Sequence, residues 1–206
     1  MNPFELGLLM LVHPSDAFDE IKLKDKRLSA LPGTVILLLV LLLRYGYTLT
    51  VHAPLADIRI QDTNILLECG RILLPVLTLV ISIYAVESIL YGETKLKMIY
   101  TTVTYCMIPF LIITPVQIGL SQIMSLEDGG LYGVIGIVMW IWIVLLVFVS
   151  IMYMNNFSLK KAVLISLLSI IFTVIIWGIA IMAVAMTIQF AGFIGEMYRE
   201  YILFNL

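Results

Sequence analysis

The sequence predicts an all-α membrane protein: a bundle of five transmembrane helices preceded by a short N-terminal interfacial helix. Three observations lead there. Of 206 residues, 62% are hydrophobic and only 13% are charged, against about 25% charged in a soluble domain. Mean hydropathy is +1.08 over 23.2 kDa, more apolar surface than a globule of this size hides from water. Finally, five stretches, 29–51, 71–92, 98–124, 131–154 and 160–193, each supply the ~20 apolar residues that cross ~30 Å of hydrocarbon. Runs such as 35–43 do not alternate in hydropathy, which excludes barrel strands, and a helix satisfies its own backbone in lipid. The composition also excludes disorder.

Residues 1–28 form a cytoplasmic segment. Its apolar run 6–12 is short and ends at His13-Pro14-Ser15-Asp16, so it does not read as a cleavable signal. Residues 14–27 read as a surface helix, with Asp16, Asp19 and Glu20 near the positive end of its dipole. Phe18 and Ile21 are expected to dip into the interface while Lys22, Lys24, Lys26 and Arg27 meet anionic headgroups as interfacial anchors.

Residues 29–206 form the transmembrane domain. The first span holds Arg44, roughly 9 Å short of the outer surface at 1.5 Å per residue, close enough for its side chain to snorkel. Tyr45 and Tyr47 sit beside it, and Glu68 is a candidate partner. The second span holds Glu87 near its inner end. Charged groups in lipid are costly and therefore candidates for function. Tyr105 on the antiparallel third span lies at similar depth, so a polar cluster of Glu87 and Tyr105, joined by Tyr84 and Ser88, is expected there. The plainer reading is a carboxylate that reaches interfacial water.

The third span carries Pro109 and Pro115, each lacking a backbone donor and clashing with the carbonyl four residues earlier. A kink is expected, with Gln117 and Gln122 placed to satisfy freed groups. Spans two and three are joined by Glu93-Thr94-Lys95-Leu96-Lys97, spans four and five by Asn155-Asn156-Phe157-Ser158. These loops are short enough for antiparallel hairpins, and Ser158 suits a helix N-cap. The fifth span has a row of Ala183, Thr187, Ala191 and Gly195 at four-residue spacing, a face that lets another helix approach closely. An amphipathic tail follows it.

With the N-terminus inside, the inner segments carry eight basic residues and the outer segments three, Arg59, Arg71 and Arg199. The positive-inside rule thus favours a cytoplasmic N-terminus and an external C-terminus. Net charge is −2, with no basic stripe for nucleic acid. His13 and His52 fall on opposite sides of the membrane, so they share no metal site. Cys69 and Cys106 differ in depth by roughly 15 Å, too far for a disulfide. No nucleophile elbow or phosphate loop occurs. The reading is therefore a non-enzymatic protein with no cofactor, partnered by the lipid bilayer and by other membrane proteins or further copies of itself.

Several segments resemble the Yip family of five-pass membrane proteins (Ypt/Rab-interacting proteins) in its compact bacterial form. They are His13-Pro-Ser-Asp-Ala-Phe-Asp-Glu-Ile-Lys22, Tyr91-Gly-Glu-Thr-Lys-Leu-Lys97, Tyr105-Cys-Met-Ile-Pro109 and Ser121-Gln-Ile-Met-Ser-Leu-Glu127. The resemblance implies five helices, a cytoplasmic N-terminus and, in eukaryotic relatives, binding of prenylated GTPases in vesicle traffic. This chain lacks their long polar N-terminal region and acidic Tyr-Gly-Pro motif. Of their third-span signature it keeps Tyr105 and Pro109, and these departures put GTPase binding in doubt here. The expected role is a scaffold or accessory component of a membrane trafficking or transport assembly, set in a bacterial cell membrane. The alternative is a small transporter or channel subunit using the kinked third span and Glu87.

Overall fold

The computed structural model describes residues 3–23, 30–51 and 64–204. Among them are α1 (Pro3–Val12), α2 (Pro14–Leu23), α3 (Leu31–Thr50), α4 (Ile65–Ile89), α5 (Leu96–Tyr105), α6 (Ile108–Ser121), α7 (Gly129–Met154) and α8 (Leu159–Phe204), with a 3-10 turn at Leu126–Asp128. Five of the described segments are long and apolar enough to span a bilayer: α3, α4, the α5–α6 pair, α7 and α8. The five-helix architecture is therefore present.

The third span is two helices. α5 stops at Tyr105, and α6 starts at Ile108 with Pro109 in its first turn, where a missing N–H costs nothing. Pro115 stays inside α6, so only one of the two prolines marks a break. Gln122 reaches across to another helix: its Nε2 donates to the Thr50 carbonyl at the end of α3, 2.8 Å away, and lies 3.4 Å from Ser121 Oγ. The α5–α6 pair is the centre of the bundle, touching α3, α4 and α7, and residues 101–110 are all buried. Close approach makes this possible. A Cβ on Gly33 of α3 would sit 2.5 Å from Thr104 Oγ1 and 3.2 Å from the Thr101 Cα. α8 lies at the periphery, against α4 and α7.

Two expectations need correction. The amphipathic segment is helical over Pro14–Leu23, but its apolar face is not turned to lipid. Phe18 is 0% and Ile21 1% exposed, because α2 packs on α7 and on α1. α1, which the sequence left as a short apolar run, is the reason. It folds back on α2 and seats Gly7 against Ile108, at the break between α5 and α6. The second correction concerns α4, which begins six residues before the expected 71. The Asn64 side chain accepts from the Leu66 N–H at 2.9 Å, an N-cap that starts the helix early.

Candidate functional site

The polar site at the Glu87 end of the bundle is built from two helix endings. α4 closes with Tyr91 at φ 59°, and α7 closes with Asn156 at φ 52°. In each case the chain turns back on itself. The Gly92 N–H donates to the Glu87 carbonyl at 2.7 Å, and the Phe157 N–H to the Met152 carbonyl at 2.9 Å, the six-to-one bond of a Schellman ending. The two endings lie side by side. A Cβ on Gly92 would stand 2.9 Å from the Glu87 Cβ and 3.2 Å from Asn155 Oδ1, so only glycine lets them meet.

Glu87 is 2% exposed and accepts a hydrogen bond from the Thr94 hydroxyl. Asn155 Oδ1 accepts from the Glu93 N–H at 3.1 Å and lies 3.3 Å from Thr94 Oγ1. The α4–α5 and α7–α8 loops are thereby tied together through one carboxylate, one hydroxyl and one amide. Beside them Glu87, Thr94, Thr102 and Ser150 line a small cavity with room for about one water. Among the described residues, the Thr102 hydroxyl on the cavity wall is buried with no partner. A single water there would satisfy a hydroxyl that is costly to leave bare.

Tyr84 and Ser88 are exposed on α4, and the Ser88 hydroxyl donates to the Tyr84 carbonyl at 2.7 Å. Only Glu87 of these three turns inward. Tyr105 is 4% exposed at the end of α5. Sequence reasoning missed Thr94 and Asn155. The Tyr91-Gly92 and Asn155-Asn156 pairs, each following an apolar run, were the available signal, since such residues mark helix C-termini.

At the opposite end, about 28 Å along α4 from Glu87 by helical rise, Glu68 is 2% exposed between two arginines. Arg44 Nη2 is 3.0 Å from Glu68 Oε2, and Arg71 Nη1 is 2.8 Å from Glu68 Oε1. The Arg44 guanidinium also stands over the Tyr47 ring, 5.5 Å from its centroid. The Tyr47 hydroxyl is 2.9 Å from the Tyr132 hydroxyl of α7. Arg44 thus ends on Glu68, the partner the sequence allowed. Two guanidinium groups thus share one carboxylate.

Elsewhere, Gln117 is buried, with its Nε2 3.2 Å from where a Cβ on Gly136 of α7 would stand. Ala183, Thr187, Ala191 and Gly195 are exposed on α8, and nothing lies within 4 Å of a Cβ built on Gly195. Lys22 is half-buried, while Lys24, Lys26 and Arg27 lie outside the described residues. Among the described residues no three His, Cys, Asp or Glu side chains gather as a metal site would need. Both cysteines are free.

No curated protein and no solved structure matches the chain. A family model does: residues 8–195 match the Yip1 domain. That match covers four of the candidate transmembrane helices whole and the fifth as far as residue 195, and the chain accordingly belongs to the Yip1 domain family of polytopic membrane proteins.

Proposed function

We propose that the protein is a non-enzymatic scaffold or accessory component of a membrane trafficking or transport assembly, and that it presents the C-terminal half of α8 to its partner. One observation carries this reading: every residue from 177 to 200 is exposed. That is about 36 Å of helix at 1.5 Å per residue, long enough to cross the hydrocarbon, and beyond Trp177, which bonds to Thr78, it stays exposed among the described residues. Lipid can cover apolar side chains, but it gains nothing from a row of small ones. The row at 183, 187, 191 and 195 lets a second helix bring its backbone close. A photo-crosslinking residue placed in turn at 183, 184, 187, 188 and 191 in native membranes tests the idea. A protein adduct of one fixed mass at 183, 187 and 191, absent at 184 and 188, supports it. Lipid adducts alone at every position overturn it.

The transporter reading draws on the α5–α6 break and on buried Glu87. The cavity beside Glu87 is small enough to favour the scaffold. The charge count supports a cytoplasmic N-terminus and external C-terminus, and the resemblance to the compact bacterial form of the family supports a bacterial cell membrane. Tags on the two ends of the intact chain should react from opposite sides.

A further inference from the structure

We propose that the bundle binds one anionic phospholipid, with an acyl chain lying between α4, α7 and α8 and the phosphate on Arg71. A cavity of about 430 Å³ occupies that place. Its wall runs along α4 from Arg71 to Ile83 and includes Leu79, Trp140, Val147 and Ser169. Twelve residues of helix make it about 18 Å long. Volume over length gives a cross-section of about 24 Å². That is the width of one hydrocarbon chain, and well under the ~80 Å² of a helix 10 Å across. The wall is apolar apart from Arg71, Ser166 and Ser169. The Ser166 hydroxyl is already spent on the Ala162 carbonyl, 2.9 Å away. Val144, Leu145 and Ile170 of its lining are exposed, so the space opens towards the bilayer and hydrocarbon can enter it.

The charge decides which lipid. The cavity's one charged lining residue stands at its end, where the Arg71 side chain is 55% exposed. Among the described residues that guanidinium gives one nitrogen to Glu68, and Glu68 is already shared with Arg44. Within the group of Arg44, Glu68 and Arg71 one positive charge is left over, presented by a planar donor that suits phosphate. Because Arg71 and Glu87 mark opposite ends of α4, this guanidinium lies at headgroup level while the cavity runs inward from it. A zwitterionic lipid offers the same chain but no net charge to answer the excess.

The test uses the full chain with Trp142→Phe and Trp177→Phe, leaving Trp140 of the cavity wall as sole fluorophore. It is reconstituted in phosphatidylcholine vesicles containing increasing phosphatidylglycerol brominated on its acyl chains, with brominated phosphatidylcholine as reference. Trp140 quenching should saturate at about tenfold lower mole fraction of the brominated phosphatidylglycerol, the factor one charge-assisted pair supplies. Arg71→Gln should remove that preference and Arg71→Lys should keep most of it. Val144→Phe, which narrows the cavity, should lower maximal quenching by both lipids. Should Arg71→Gln fail to fold, the two lipids compared on the parent chain decide alone. Equal quenching by both, or a preference that survives Arg71→Gln, overturns the proposal.

Discussion

Residues 101–110 and residues 177–200 are both membrane-spanning helix, yet the first stretch is wholly buried and the second wholly exposed. The buried stretch is the more polar, with Thr101, Thr102, Thr104, Tyr105 and Cys106 among its ten residues. In water the order would be reversed. Lipid is as apolar as leucine, so an apolar side chain gains little by leaving it for protein. What lets α5 be buried is the near approach of the α3 backbone at Gly33, while two of its hydroxyls are satisfied within their own helix and need no outside partner. The Thr101 hydroxyl donates to the Lys97 carbonyl at 2.9 Å and Thr104 to the Thr101 carbonyl at 2.7 Å.

The sharpest way to break the buried half is to remove a charge that holds it. Glu68→Ala strips the counter-charge from Arg44 and Arg71 and should cost about 3–5 kcal/mol, read from unfolding in mixed micelles. A loss below about 1 kcal/mol would mean that both arginines reach headgroups or water without help, and that α3 is held to α4 by packing alone. Next in size is Gly33→Val. Its Cβ would meet Thr104 Oγ1 at 2.5 Å and a backbone atom at 3.2 Å, so the helices must separate. The expected loss is about 2–3 kcal/mol, and Gly33→Ala should cost less. An unchanged unfolding midpoint for Gly33→Val would show that α5 is buried for some reason other than backbone proximity.

A smaller effect belongs to the loops. Glu87→Gln and Thr94→Val, measured singly and together, should show a coupling of about 1 kcal/mol. Strict additivity would mean that the hydrogen bond between them contributes nothing to stability, and that the two Schellman endings are held by Gly92 alone.

How much of this could be read from the sequence depends on what kind of information each feature carries. The spans were legible because run length alone sets them. The break at Pro109 was legible because a ring without an N–H removes a helix hydrogen bond and crowds the preceding turn. Pro115 carries the same local signal but does not break α6, so neighbours decide between a kink and a tolerated proline. Pro75 inside α4 is a second case. There Thr78 donates to the Leu74 and Pro75 carbonyls and receives Trp177 Nε1 from α8, 3.2 Å away. Phe18 and Ile21 mark an apolar face, but a periodic pattern does not say whether lipid or α7 covers it. Asn155 and Glu87 are 68 positions apart, and only the packing of two helix ends makes them neighbours.

The smallest expected effect is the one that isolates the exposed half. Gly195→Val repeats the substitution made at Gly33, on a helix where nothing lies within 4 Å of the new Cβ. The unfolding midpoint of the isolated chain should not move. If the C-terminal half of α8 is covered only by lipid in the native membrane, nothing else should move either, because lipid accommodates a branched side chain as readily as a hydrogen atom. If a second helix seats there, the added methyl groups hold its backbone off, and the crosslinks at 183, 187 and 191 should weaken together. The same change at the two glycines thus separates burial within one chain from burial between chains. A destabilised Gly195→Val monomer would show that α8 leans on its own bundle beyond Trp177, and that the contrast between the two halves is smaller than the structure draws it.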